Sequence, residues 1–135
     1  MKRVLIVDDH PNIRKMIRLA LGKSYIIEEA GDADQALSRI EENVPDGIVL
    51  DVMMPGTLNG FQLCERIKKD AALAHLHVVL VTACGQVEDQ ELGYALGADA
   101  YFVKPFSPLA LARYLSTTLN SDLKPPSSSP EGEAT

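Results

Sequence analysis

The sequence predicts an α/β fold, a doubly wound parallel sheet of five strands flanked by five helices. Two observations carry this. Short apolar runs alternate with stretches of helical period, the pattern of repeated βαβ units. Four of those runs end in polar side chains: Val4–Val7 in Asp8 and Asp9, Gly47–Leu50 in Asp51, Val78–Val81 in Thr82, and Tyr101–Val103 in Lys104, which precedes Pro105. In an open parallel sheet the carboxyl ends of the strands line the crevice where ligands bind. Three carboxylates, a hydroxyl and an ammonium would converge there.

The first strand is expected at about residues 2–8 and the first helix at about 11–22, with Pro11 at its first position and Gly22 at its end. Ile13, Met16, Ile17, Ala20 and Leu21 make its apolar stripe, and Arg14, Lys15 and Arg18 its basic side. The second strand falls at about 25–29, and the second helix at about 33–42, capped by Asp32. The third strand and helix follow at about 46–51 and 60–69, the fourth at about 77–82 and 87–96, the fifth at about 99–103 and 108–119. The fourth helix is the weakest, because Gly93 in its interior costs up to about 1 kcal/mol relative to Ala. It is therefore the expected mobile element. Ser107 can cap the last helix, with Pro108 following.

These elements make one domain, residues 1–119. Residues 120–135 hold a Pro/Ser tract that cannot bury enough apolar surface to offset ordering entropy, and are expected to form a disordered tail or linker stub.

Composition narrows the function. The chain has 135 residues, 46% of them apolar, and a net charge of −6 from 13 basic and 19 acidic residues. With no basic patch, direct nucleic-acid binding is not expected. No stretch approaches the roughly 20 apolar residues of a membrane span, and the N-terminus lacks the pattern of a secretory signal. The expectation is a soluble cytoplasmic protein, a monomer or weak dimer. Of the two cysteines, Cys64 is expected in the core. Cys84, two residues past Thr82, lies near the presumed site.

The chemistry follows from the charges. Two carboxylates about 4 Å apart at an effective dielectric of about 20 repel by about 4 kcal/mol. Lys104 offsets one charge, and a divalent cation would offset two more. Mg²⁺ is typically held by one or two carboxylates, waters and phosphate oxygens. Such a site suits phosphoryl transfer, with an Asp carboxylate as nucleophile. Asp51 stands alone on the central strand and is the candidate nucleophile; Asp8 and Asp9 are the metal side. Each residue has an ordinary alternative. Asp8 and Asp9 could cap a helix, Asp51 could open a turn, Thr82 could simply end a strand, and Lys104 could be a solvated edge charge. Their joint placement at four strand ends argues against all of these together.

At this point the sequence resembles the receiver domains of two-component response regulators. The resemblance rests on Val4–Asp9, Asp51–Gly56, Val81–Ala83 and Gly97–Phe106, and spans about residues 2–119. It implies a flavodoxin-like sheet of order 2-1-3-4-5. It implies Asp51 as phosphoacceptor, Mg²⁺ (or Mn²⁺) held by Asp8, Asp9, Asp51 and the backbone carbonyl of Met53, and Lys104 on the phosphoryl oxygens. Thr82 and Tyr101 become the switch pair, Ala83 keeps the site open, and the Lys104–Pro105 bond is cis. The implied partners are a sensor histidine kinase or histidine phosphotransfer protein, and a downstream protein target. The chain then resembles a stand-alone receiver, or a receiver cut from a longer protein, and in either case a signalling domain rather than an enzyme on an external substrate. The basic side of the first helix, with the loop after Lys104, is the expected kinase-docking surface.

One departure stands out. The loop from Asp51 to Gly60 is one residue longer than the commonest spacing in that family. Two rival readings are weaker. A haloacid-dehalogenase-type phosphohydrolase places its nucleophile after the first strand, with a second Asp two residues on, where this chain has Met53. A degenerate receiver used only for binding would not need Asp51, Thr82 and Lys104 together.

Overall fold

The computed structural model describes residues 1–83 and 85–119. Five parallel strands, β1 (Lys2–Val7), β2 (Tyr25–Ala30), β3 (Gly47–Asp51), β4 (His77–Thr82) and β5 (Ala100–Val103), form one sheet in the order β2-β1-β3-β4-β5. The helices are α1 (Pro11–Leu21), α2 (Ala33–Glu42), α3 (Gly60–Lys69), α4 (Val87–Ala95) and α5 (Pro108–Leu119), with a 3₁₀ turn at Gly22–Ser24. The expected fold class, strand order and element positions are all met, with ends differing by a residue. Cys84 and the Pro/Ser tail lie outside the described residues.

Strand alternation divides the core between the two faces of the sheet. Leu5, Val7, Ile48, Leu50, Val78 and Leu80 pack with Ala36 and Ile40 of α2 and Leu63, Cys64 and Ile67 of α3. Val4, Ile6, Val49, Val79 and Val81 pack with Ile17 and Leu21 of α1 and Leu111 and Leu115 of α5. Every residue of β3 is buried, as expected of a central strand covered on both faces. Cys64 is a core thiol, its pKa pushed by burial up to about 11.

The ends of the helices are set locally. The Asp32 side chain accepts from the Gln35 amide at 2.8 Å, and the Ser107 hydroxyl from the Ala110 amide at 3.1 Å. Asn59 and Gln62 form a reciprocal capping box at the start of α3. Gly22 ends α1 at φ 69°, a conformation that favours glycine.

Gly93 has a positive reason to be in α4. A Cβ there would meet Leu80 Cδ1 and Tyr101 Cδ2, both at 3.0 Å. The glycine lets α4 sit directly on β4 and β5. Its cost in helix propensity is the condition of a close contact.

Candidate functional site

The register decides which strand ends meet. Val7 is paired with Leu50, Leu50 with Leu80, and Leu80 with Tyr101. One residue further on, Asp8 and Asp51 come level, with Thr82 just beyond. Alternation puts Asp8 and Asp51 on the α1/α5 side of the sheet. Thr82 shares the opposite side with Leu80 and Tyr101, and is paired with Val103 on the neighbouring strand.

Asp8, Asp51 and Thr82 are buried polar residues, each 2% exposed or less. The ammonium of Lys104 reaches both carboxylates, 3.2 Å from Asp8 Oδ2 and 3.5 Å from Asp51 Oδ1. The Lys104 amide donates to the Thr82 carbonyl at 2.7 Å, which ties its backbone to the end of β4. The Lys104–Pro105 bond is cis. Burial first, then the charge of Asp8, pushes the Asp51 carboxyl up to about 6; Lys104 and a hydrogen bond from the Met53 amide pull the other way. An anion kept costly in this way is available to a cation or an electrophile.

The site has the makings of a cation site. Donor atoms of Asp8, Asp9, His10 and Asp51 all lie within 4.8 Å of one another. Asp9 Oδ1 is buried and accepts no hydrogen bond among the described residues. A dense set of oxygens with one buried and unsatisfied fits a hard divalent ion. The side chain of Met53 is exposed, and its amide donates to Asp51 Oδ1 at 3.4 Å. Tyr101 is half-buried, its ring 6.4 Å from that of Tyr94.

Two contributors, Gly60 and His10, were not singled out from sequence, and a third, Arg14, was read only as part of the basic side of the first helix. Gly60 begins α3 pressed against the Asp51 carbonyl and Val52 Cα, leaving no room for a Cβ. This tucks the longer loop back under Asp51, with the Gly60 amide donating to the Val52 carbonyl at 2.9 Å. Arg14 Nη1 donates to the Asp8 carbonyl at 2.6 Å, while its Nε donates to Glu29 at 2.8 Å. His10 stands beside both aspartates, and its signal in the sequence was adjacency: a metal-ligating residue type directly after a double Asp.

The basic side of α1 differs from the reading as a free surface. Arg14 and Arg18 both pair with Glu29 of β2. Partial burial raises the Glu29 carboxyl, but the two guanidinium groups outweigh it and hold it below its usual range. Of the three cations named there, only Lys15 has no such pairing among the described residues.

The match to known proteins decides the family. The model of the response regulator receiver domain matches residues 4–116. The chain belongs to the response regulator receiver domain family. The receiver is 40% identical over 119 residues to the probable transcriptional regulator ycf27 of Guillardia theta, covering 87% of this chain and 45% of that one. It is likewise 40% identical to the phosphate regulon transcriptional regulatory protein PhoB of Pseudomonas aeruginosa, over 87% of this chain and 52% of that one. The receiver thus spans about half the length of these curated relatives. Among solved structures, Vibrio cholerae chemotaxis protein CheY4 superposes with TM-score 0.79 at 32% identity, over 86% of this chain and 97% of that one. The BeF3-activated DrrB receiver domain superposes with TM-score 0.81 at 29% identity, over 89% and 98%. No described helix is long and apolar enough to cross a membrane.

Proposed function

We propose that this receiver takes a phosphoryl group onto Asp51 from a histidine kinase or phosphotransfer protein and, in doing so, changes the surface it offers to a protein partner. The observation that carries this is the convergence of Asp8, Asp51 and Lys104 at the carboxyl end of the sheet. An Asp51 carboxylate oxygen attacks phosphorus in line. The bond from phosphorus to the donor's nitrogen or oxygen breaks, and its electron pair leaves with the donor. Lys104 holds the incoming oxygens and balances the charge added. Asp8 and Asp9, with Asp51 and the Met53 carbonyl, would hold Mg²⁺ or Mn²⁺. That ion supplies charge stabilisation to the transferring group.

Phosphorylation adds roughly −1.5 to −2 charges. In this reading Thr82, on the side of the sheet facing Tyr101, turns toward the new oxygens, and Tyr101 follows into the space left. The face of α4, β5 and α5 changes as a result. A shift from 1:99 to 99:1 needs about 5.5 kcal/mol of differential stabilisation. The domain acts only on its own phosphorylation and dephosphorylation. For this segment the acidic net charge argues against direct nucleic-acid contact, although the two curated relatives are named as transcriptional regulators.

The test is intact mass after incubation with a small acyl-phosphate donor, with and without Mg²⁺, on wild type and Asp51→Asn. The expected result is one hydroxylamine-labile phosphoryl group that needs both Mg²⁺ and Asp51. Label persisting in Asp51→Asn would move the acceptor elsewhere.

A further inference from the structure

The His10 imidazole is a feature of the site that phosphoacceptance does not use. Its Nδ1 lies 3.1 Å from Asp8 Oδ1 and 3.2 Å from Asp9 Oδ1. The chain arranges this locally. The His10 amide donates to Asp8 Oδ1 at 2.8 Å, folding the backbone so that the ring hangs over both carboxylates. His10 is the N-cap of α1 by backbone conformation, yet its side chain makes no capping hydrogen bond. The ring is therefore committed to the acidic cluster and not to the helix.

The spacing is that of ligands round one ion. Atoms about 2.1 Å from a common octahedral centre are about 3.0 Å apart when at right angles and about 4.2 Å apart when opposite. The two short distances, contacts of hydrogen-bond length in the metal-free protein, also match the first case, and Asp51 joins a set within 4.8 Å, which a bound ion need draw in by about 0.6 Å at most. Asp9 Oδ1, buried and in polar contact only with the His10 ring among the described residues, belongs to the same set. Replacing one oxygen by an imidazole nitrogen changes which ion is favoured. Carboxylates and waters suit Mg²⁺, whereas imidazole suits Ni²⁺, Co²⁺ and Zn²⁺.

We infer that His10 Nδ1 is an additional ligand in the receiver's cation site and biases that site from Mg²⁺ toward nitrogen-preferring divalent transition metals. This rests on the cation site proposed above, and adds to it a selectivity residue. The ring is 65% exposed, so its removal leaves the core intact and either variant below is expected to fold.

The experiment is titration calorimetry of the full chain with Mg²⁺, Mn²⁺, Co²⁺ and Ni²⁺, for wild type, His10→Ala and His10→Gln. Electron spin-echo modulation on the Mn²⁺-loaded protein accompanies it, because it reports a directly bonded ¹⁴N. The expected result is a ¹⁴N coupling in wild type that both variants lose. With it, the ratio of Ni²⁺ to Mg²⁺ affinity should fall about tenfold or more. If wild type binds Mg²⁺ and Mn²⁺ without ¹⁴N coupling and the ratio is unchanged in the variants, His10 is no ligand, while the phosphoacceptor reading stands. Equal tightening of every ion in both variants would make His10 a competitor for the carboxylates, and also overturns the inference. Binding of none of these ions by wild type would overturn the inference and the cation site together.

Discussion

Gly93 lies against the ring of Tyr101: a Cβ on the glycine would stand 3.0 Å from Cδ2 and 3.1 Å from Cε2. A helix residue thus acts as a seat for the strand aromatic whose movement the proposed switch requires. Gly93→Ala should gain up to about 1 kcal/mol in helix propensity and lose about 1–3 kcal/mol to overpacking. Leu80, fully buried on the other side of the contact, cannot yield. The expected sum is a net loss of about 1 kcal/mol in urea unfolding, partly recovered in Gly93→Ala/Tyr101→Ala. Strict additivity of the two substitutions would show that the ring and the glycine are not coupled.

Asp51 carries the pH dependence. Its carboxyl is pushed up to about 6 by burial and Asp8, against an ordinary 3.8. A raised acid binds its proton more tightly in the folded state, so ionising it costs folding stability. The cost is absent below about pH 4, grows as pH rises through the window to about 6, and is full above it, amounting to about 3 kcal/mol. Asp51→Asn should therefore stabilise the metal-free protein at pH 7 by up to that amount, and by almost nothing at pH 3.5. Unfolding curves at the two pH values measure the difference. Saturating Mg²⁺ should narrow the gap at pH 7, since an ion that binds only the folded wild type adds to its stability.

Gly60 should tolerate no side chain. The atoms in the way are backbone, the Asp51 carbonyl and Val52 Cα, and they cannot rotate aside. Gly60→Ala is expected to cost more than about 2 kcal/mol and to weaken Mg²⁺ binding by displacing the chain next to Asp51. Calorimetric titration with Mg²⁺ alongside denaturant unfolding separates the two effects. Wild-type values in both would mean that the loop moves freely away from α3.

Arg14 and Arg18 should behave differently although one carboxylate holds both. Arg14 is 19% exposed and also donates to the Asp8 carbonyl, whereas Arg18 is 46% exposed. Arg14→Ala should cost about 1–3 kcal/mol, as loss of a hydrogen bond to a charged group, and lower Mg²⁺ affinity through the Asp8–Asp9 turn. Arg18→Ala should cost under about 1 kcal/mol. For kinase docking, charge reversal belongs at Lys15 and Arg18, where the fold is not at stake. Slower transfer from the kinase with unchanged labelling by a small donor is the expected result, and unchanged kinase transfer would remove α1 from the docking surface.

The sequence by itself determined the fold class and the order of elements, and it placed Asp8, Asp51, Thr82 and Lys104 at the ends of apolar runs. Apolar period and local capping are written in neighbouring residues: Val4–Val7 can only be a buried run, Asp32 and Ser107 cap because the following amides need partners, and a charge at the end of such a run marks the rim of the sheet. Tertiary structure decided what depends on distance between segments far apart in the chain. Register brings Asp8 level with Asp51, and so raises the Asp51 carboxyl through burial and like charge. Close packing, not weakness, accounts for Gly93, because Leu80 and Tyr101 come from two different strands. Glu29, from a strand at the edge of the sheet, takes up the two arginines that the helical pattern alone leaves facing solvent. His10 needed both kinds of information. Its place beside a double Asp is local, but only the turn into α1 brings its nitrogen within ligand spacing of both carboxylates.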